Sequence, residues 1–134
     1  MNLRNDRYLC KKFPFLFSDR RASMQNTAMC WGFQCGNGWY KIIKEAAAKL
    51  EPLIIDCLVK DPVNALYHPR ASDIKEKYGT LRFYLSSGTD EMYAIVFAAE
   101  KKSTKVCEQC GQPGKMRGRN WYYVSCKKHV REEE

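Results

Sequence analysis

Between Asn37 and Asp61 the apolar residues fall at helical spacing: Trp39, Ile42, Ile43, Ala46, Leu50, Leu53, Ile54, Cys57 and Leu58. The spacing predicts a helix, with Asn37 as its N-cap and "AAA" favouring its interior. Pro52 is expected to kink or split it near residue 51, since proline removes a hydrogen bond and crowds the preceding turn. Cys57 lies on the stripe, where a small buried hydrophobe is the expected role.

The pattern then changes period. "SDIKEKYGTLRFYLSS" alternates and reads as a β-hairpin about Gly79-Thr80, with Gly first as a type II′ turn prefers. That register opposes Tyr78 to Leu81, Glu76 to Phe83 and Ile74 to Leu85 on the core side, and leaves Lys75, Lys77, Arg82 and Tyr84 outward. Glu76 fits an apolar face poorly, so either it lies at an edge or the register is off by one. The basic face reads as a recognition surface or as a solvated edge guarded by lysines.

A second helical stripe follows in "DEMYAIVFAAEKK": Met92, Ile95, Val96 and Ala99, flanked by Tyr93 and Phe97. Thr89 is its expected cap, and acidic residues at its start and lysines at its end suit the helix dipole. The first 36 residues show no sustained period. They read as irregular structure laying Phe13, Phe15, Phe17 and Trp31 onto the helices.

Composition narrows the class. At 134 residues with 45% hydrophobic content, the chain fits one folded domain. Its opening, "MNLRNDRYLCKKF", has charges but no apolar core, so no signal peptide is expected. The stretch around "LEPLIIDCLV" is too short and too polar to span a bilayer. Seven cysteines, an odd number, argue against a secreted disulfide framework and for a reducing cytoplasm.

The candidate chemistry lies in "CEQCGQPGKMRGRNWYYVSCKKH", which opens with Cys107-x-x-Cys110 and closes with Cys126-x-x-His129. Three thiolates and an imidazole make a tetrahedral donor set suited to one structural Zn2+. Gly111 permits the backbone turn of such a knuckle. Turn signals at "QPGK" and "RGRN" predict a short hairpin, and Cys126 and His129 one face of a helical turn. The expected fold is therefore α+β, helices packed on a β-hairpin with a C-terminal treble-clef-like zinc ribbon. It divides as one domain, 1–134, into an irregular aromatic-rich segment (1–36), a helix–hairpin–helix core (37–103) and the ribbon (104–131).

Catalysis finds little support. Four protein ligands fill the coordination shell, whereas catalytic zinc keeps a position open for water. The H-x-E triplet of zinc deaminases is absent. A zinc-ribbon nuclease needs a further histidine as base, and the one left, His68 in "LYHPR", reads as a surface-loop residue. A second metal held by Cys10, Cys30 and Cys35 would need a fourth ligand that the spacing does not supply.

The ordered string "GNGWYKIIKEAAAKL", "IKEKYGTLRFYLSSGTDEMYAIVFAAEKKS" and "CEQCGQPGKMRGRNWYYVSCKKH" resembles a family of small proteins from tailed phages and prophages, over residues 13 to 129. In that family a W-[YF]-x-[IL]-[IL] helix precedes a K-E-K-[YF]-G-x-L-R-[FY] hairpin, then a D-E-[VM]-Y helix and a C-x-x-C-G-x-P-G ribbon. The resemblance implies action in the host cell cytoplasm and brings no activity with it. Cys107, Cys110, Cys126 and His129 match its ligand positions, while Cys10, Cys30, Cys35 and Cys57 depart from its pattern.

A net charge of +8 and a pI near 9.2 suit a polyanionic or acidic partner. Basic residues cluster on the ribbon around Trp121, Tyr122 and Tyr123. Alternation predicts Trp121 and Tyr123 facing inward and Tyr122 exposed for stacking. The candidate contact set is Lys115, Arg117, Arg119, Tyr122 and Lys128 on the ribbon, with Lys75, Lys77 and Arg82 on the first hairpin. The expected function is a non-catalytic phage accessory protein that binds nucleic acid or a host nucleoprotein machine. The alternative is a phage inhibitor of a host protein, such as an antiviral defence system, and a zinc-ribbon nuclease ranks below both.

Overall fold

In the computed structural model, which describes residues 1–132, the chain folds as α+β. The terminal "REEE", whose acidic residues are expected to form a short solvated tail, falls partly outside those residues; Arg131 and Glu132 are exposed. Three α-helices are α1 (Leu3–Lys12), α2 (Tyr40–Lys60) and α3 (Asp90–Ser103). Strands β1 (Phe33–Gln34), β2 (Ala71–Lys77) and β3 (Thr80–Leu85) form one sheet, and β4 (Lys115–Arg117) pairs with β5 (Tyr123–Ser125) in a second. No helix among the described residues is long and apolar enough to cross a membrane.

The stripe predicted for α2 is buried at Ile42, Ile43, Ala46, Leu50 and Ile54. Its start and middle differ from expectation. Asn37 opens a 3-10 turn, Asn37–Trp39, and its side-chain oxygen accepts from the Asn2 N–H at 2.7 Å instead of capping the helix. Pro52 does not split α2, which runs unbroken to Lys60. Pro52 and Ala48 are both exposed, so solvent can serve the carbonyl that loses its donor, and a small Ala48 limits crowding. The neighbouring Glu51 is buried, and its carboxylate accepts from the N–H groups of Phe15, at 2.8 Å, and Leu16, at 3.1 Å.

α3 follows its sequence signals: the Thr89 hydroxyl accepts from the Met92 N–H, and Met92, Val96 and Ala99 are buried. It packs on β3 and α2. It also covers the outer edge of β3, where the Leu81 N–H donates to Ser103 Oγ and the Phe83 N–H to Glu100, each at 2.9 Å. That edge is closed by a helix and does not rely on lysines.

The hairpin exists, with its register displaced from the expected one. Lys77 pairs with Thr80, Glu76 with Leu81 and Ile74 with Phe83, so the turn is Tyr78-Gly79. Both turn residues have positive φ, +53° and +87°, as a type I′ turn requires. Ala71, Ile74, Leu81 and Phe83 are the buried positions. Glu76 sits at the end of that face and accepts from the Gly79 N–H at 2.7 Å.

The N-terminal segment is more ordered than expected. α1 is capped by Asn2, whose side chain accepts from the Asn5 N–H at 2.9 Å, and Leu9 is its one buried residue. Asp6 on α1 pairs with Arg20 at 3.0 Å, and Arg20 also donates to the Cys30 carbonyl at 2.8 Å. β1 then joins β2 in parallel, Phe33 beside Ile74. Phe13 and Phe17 enter the core as predicted, whereas Phe15 and Trp31 are exposed.

Candidate metal centre and the surface around it

The metal-ligand spacing becomes a cluster because three short elements converge. Around the knuckle, the Cys107 N–H donates to the Gln112 carbonyl at 2.8 Å and the Gly111 N–H to Cys107 at 2.9 Å. Gly111 has φ +80°, the conformation expected for it. β5 delivers Cys126, and a 3-10 turn, Lys127–His129, returns the imidazole.

One ligand atom each from Cys107, Cys110, Cys126 and His129 lies within 4.8 Å of the others. His129 Nδ1 is 3.2 Å from Cys126 Sγ and 3.5 Å from Cys107 Sγ, and the Cys110 and Cys126 sulfurs are 3.6 Å apart. Sulfurs bound to one tetrahedral zinc stand about 3.8 Å apart, given Zn–S distances of about 2.3 Å. The donor set thus fits a single metal ion.

The electrostatics agree. Burial alone would raise the Cys107 thiol, but backbone N–H groups of Cys126, Cys110 and Gln109 outweigh it and lower the thiol to about 6. At Cys110 the Gln112 N–H favours the thiolate; desolvation and the neighbouring Cys107 and Cys126 sulfurs outweigh it and raise the thiol. Three sulfurs at this spacing repel one another once ionised, and a cation at their centre relieves that repulsion. The other cysteines do not join in. Cys10, desolvated and beside Asp6, and Cys35, desolvated and near Glu108, are each pushed up to about 12. No second cluster forms among the described residues.

The ribbon is joined to the core by contacts that sequence reasoning missed. Gly38 donates to the Glu108 carbonyl at 2.7 Å, and a Cβ on Gly38 would stand 2.0 Å from the Cys107 carbonyl oxygen. Gly36 donates to the Glu108 carboxylate at 2.9 Å. Desolvation, then the nearby Glu76, raise that carboxyl. The signal was "GNG": glycines let one backbone approach another.

The candidate contact residues divide by setting. Lys115, Arg119 and Lys128 are exposed; Arg117 is half-buried and its Nε donates to the Ser125 carbonyl at 3.3 Å. Lys77 is exposed, but Lys75 is half-buried and paired with Asp73 at 3.2 Å, across from a half-buried Arg82. Tyr122 is 50% exposed and Tyr123 buried, as expected. Trp121 is not inward: it is 75% exposed, because it belongs to the loop before β5, where strand alternation does not apply. His68 is half-buried, its ring nitrogens facing the carbonyls of Phe15, at 3.0 Å, and Ala65, at 2.9 Å.

No family model, curated protein or solved structure matches this chain in comparisons with known proteins.

Proposed function

We propose that the chain is a non-catalytic, zinc-stabilised binding protein that engages nucleic acid, or a nucleoprotein machine, through the basic and aromatic surface of its ribbon. The phage accessory role and the host cytoplasm belong to this proposal. The observation that carries it is a division of labour within one short segment. Cys107, Cys110, Cys126 and His129 converge on a common point, while Trp121 and Tyr122 between them project into solvent in a segment rich in basic residues. A donor set of three thiolates and one imidazole favours zinc over harder cations. His68 supports the non-catalytic reading, since both its nitrogens face backbone carbonyls.

A second reading, a phage inhibitor that occludes a host protein, draws on one feature. Val59, Val63, Leu66, Tyr67 and Trp31 are large apolar side chains left in solvent.

The two readings separate in a salt titration of the purified, metal-loaded chain. Binding to nucleic acid should weaken steeply with salt, and Arg119→Glu or Lys128→Glu should each reduce the slope by about one counterion. An interface built on apolar side chains would hold with little change, and that result would favour the inhibitor.

A further inference from the structure

The two hairpins meet at their tips. The Tyr78-Gly79 turn lies against the ribbon so closely that a Cβ on Gly79 would stand 2.8 Å from Met116 Sδ and 3.0 Å from the backbone of Tyr122 and Tyr123. The contact leaves a cleft of about 420 Å³ lined by Glu76, Lys77, Tyr78, Asn120, Trp121 and Tyr122. Its aromatic members are exposed, Tyr78 at 72% and Trp121 at 75%, so neither is needed to fill the core.

Tyr78 carries a second observation. It has φ +53°, at the first central position of a turn where Asn or Gly is favoured. A bulky aromatic stands where the backbone disfavours it and where the ring is mostly in solvent. Strain of this kind points to a role outside folding.

We propose that this cleft is a base-binding slot for single-stranded nucleic acid. The inference rests on the nucleic-acid reading above and adds where and how the strand is held. Aromatic faces at the cleft stack on an unpaired base, whose faces a duplex keeps covered. Lys77, within a chain of net charge +8, meets the phosphates. Within the lining, one Glu76 oxygen takes the Gly79 N–H. A carboxylate has capacity for further donors, and the exocyclic amine of cytosine is one. Asn120 adds an amide that can both donate and accept.

The test compares the metal-loaded chain with oligodeoxycytidine, oligodeoxythymidine of equal length, and the cytidine strand annealed to its complement. Tryptophan fluorescence is followed alongside affinity. Single strands should bind tighter than duplex, cytidine tighter than thymidine, with quenching that Trp121→Phe reduces. Trp121→Ala and Tyr78→Asn should each weaken single-strand binding by roughly tenfold or more. Asn suits the turn, so Tyr78→Asn carries the test even if Trp121→Ala misfolds. Glu76→Gln should erase the preference for cytidine. Salt-dependent binding that ignores Tyr78→Asn and Trp121→Ala, or that favours duplex, overturns the slot and leaves the broader reading standing. Failure of every nucleic acid to bind at low salt overturns the slot and direct nucleic-acid binding alike.

Discussion

The indole N–H of Trp39 donates to the carbonyl of Val106 at 2.9 Å, one residue before Cys107, the first member of the candidate metal cluster. Trp39 is fully buried and opens α2, so the helix and the ribbon share a polar contact inside the core. With the Gly38 and Gly36 bonds to Glu108, it makes the ribbon part of the main fold. Trp39→Phe keeps most of the ring and removes the donor, leaving the Val106 carbonyl unpaired. A buried orphan of this type costs about 1–3 kcal/mol. The expected outcome is a lower melting midpoint together with faster metal loss to a chelator. A lowered midpoint with unchanged metal loss would show that the contact does not couple the two.

Metal removal should act on the ribbon before the rest. Structural zinc contributes an apparent binding energy of about 10–16 kcal/mol that goes into folding its site. β4 and β5 are three residues each, too short to persist alone. The α2, β2–β3 and α3 layer has its own apolar core. Chelation should therefore strip amide-exchange protection from residues 107–129 while β2, β3 and α3 keep most of theirs. Native mass spectrometry should find one ion per chain, and Cys126→Ser should lose it. Full protection of the ribbon after the ion is gone would refute the metal's structural role.

Glu51 is a buried carboxylate that works for a distant loop. It takes the N–H groups of Phe15 and Leu16, which stand where α1 gives way to the chain leading into the sheet. Glu51→Ala leaves two donors without an acceptor. The expected loss is about 3 kcal/mol, given the strength of hydrogen bonds to charged groups. Glu51→Gln retains one acceptor oxygen and should lose less. Denaturant unfolding of the two variants measures the difference, and equal loss would show that volume and a single neutral acceptor rescue nothing, so that the site needs both carboxylate oxygens.

These contacts mark where the sequence was legible. The four metal-cluster residues follow from spacing because the chemistry of a knuckle is local, and α3 follows from a cap, a stripe and charged ends that all agree. α1 was hidden because one buried residue, Leu9, gives no period; its order rests on the Asn2 cap and the Asp6–Arg20 pair. The hairpin register turned on a single residue. Sequence preference places Gly first in the turn, yet Tyr78 takes that position, and the packing of Gly79 against the ribbon is a tertiary fact. Glu76 had already signalled the error, since it opposes Leu81 and serves the turn. Trp121 departs from expectation for a related reason: strand alternation does not reach back beyond the start of β5 at Tyr123.

Tyr78 should trade stability for binding. A non-glycine residue in the left-handed region costs about 1–2 kcal/mol, and Asn reduces that through its own local hydrogen bonding. Against the gain stands the Tyr78 ring's contact with the Lys77 ammonium, 5.7 Å from its centroid, worth about 0.5 kcal/mol at an exposed site. Tyr78→Asn should therefore leave the metal content unchanged and raise the melting midpoint by about 3 °C. Stabilising substitutions that impair function are expected where strain serves a site. Should Tyr78→Asn melt lower than the parent chain, the ring contributes to folding, and its unusual backbone needs no role in binding.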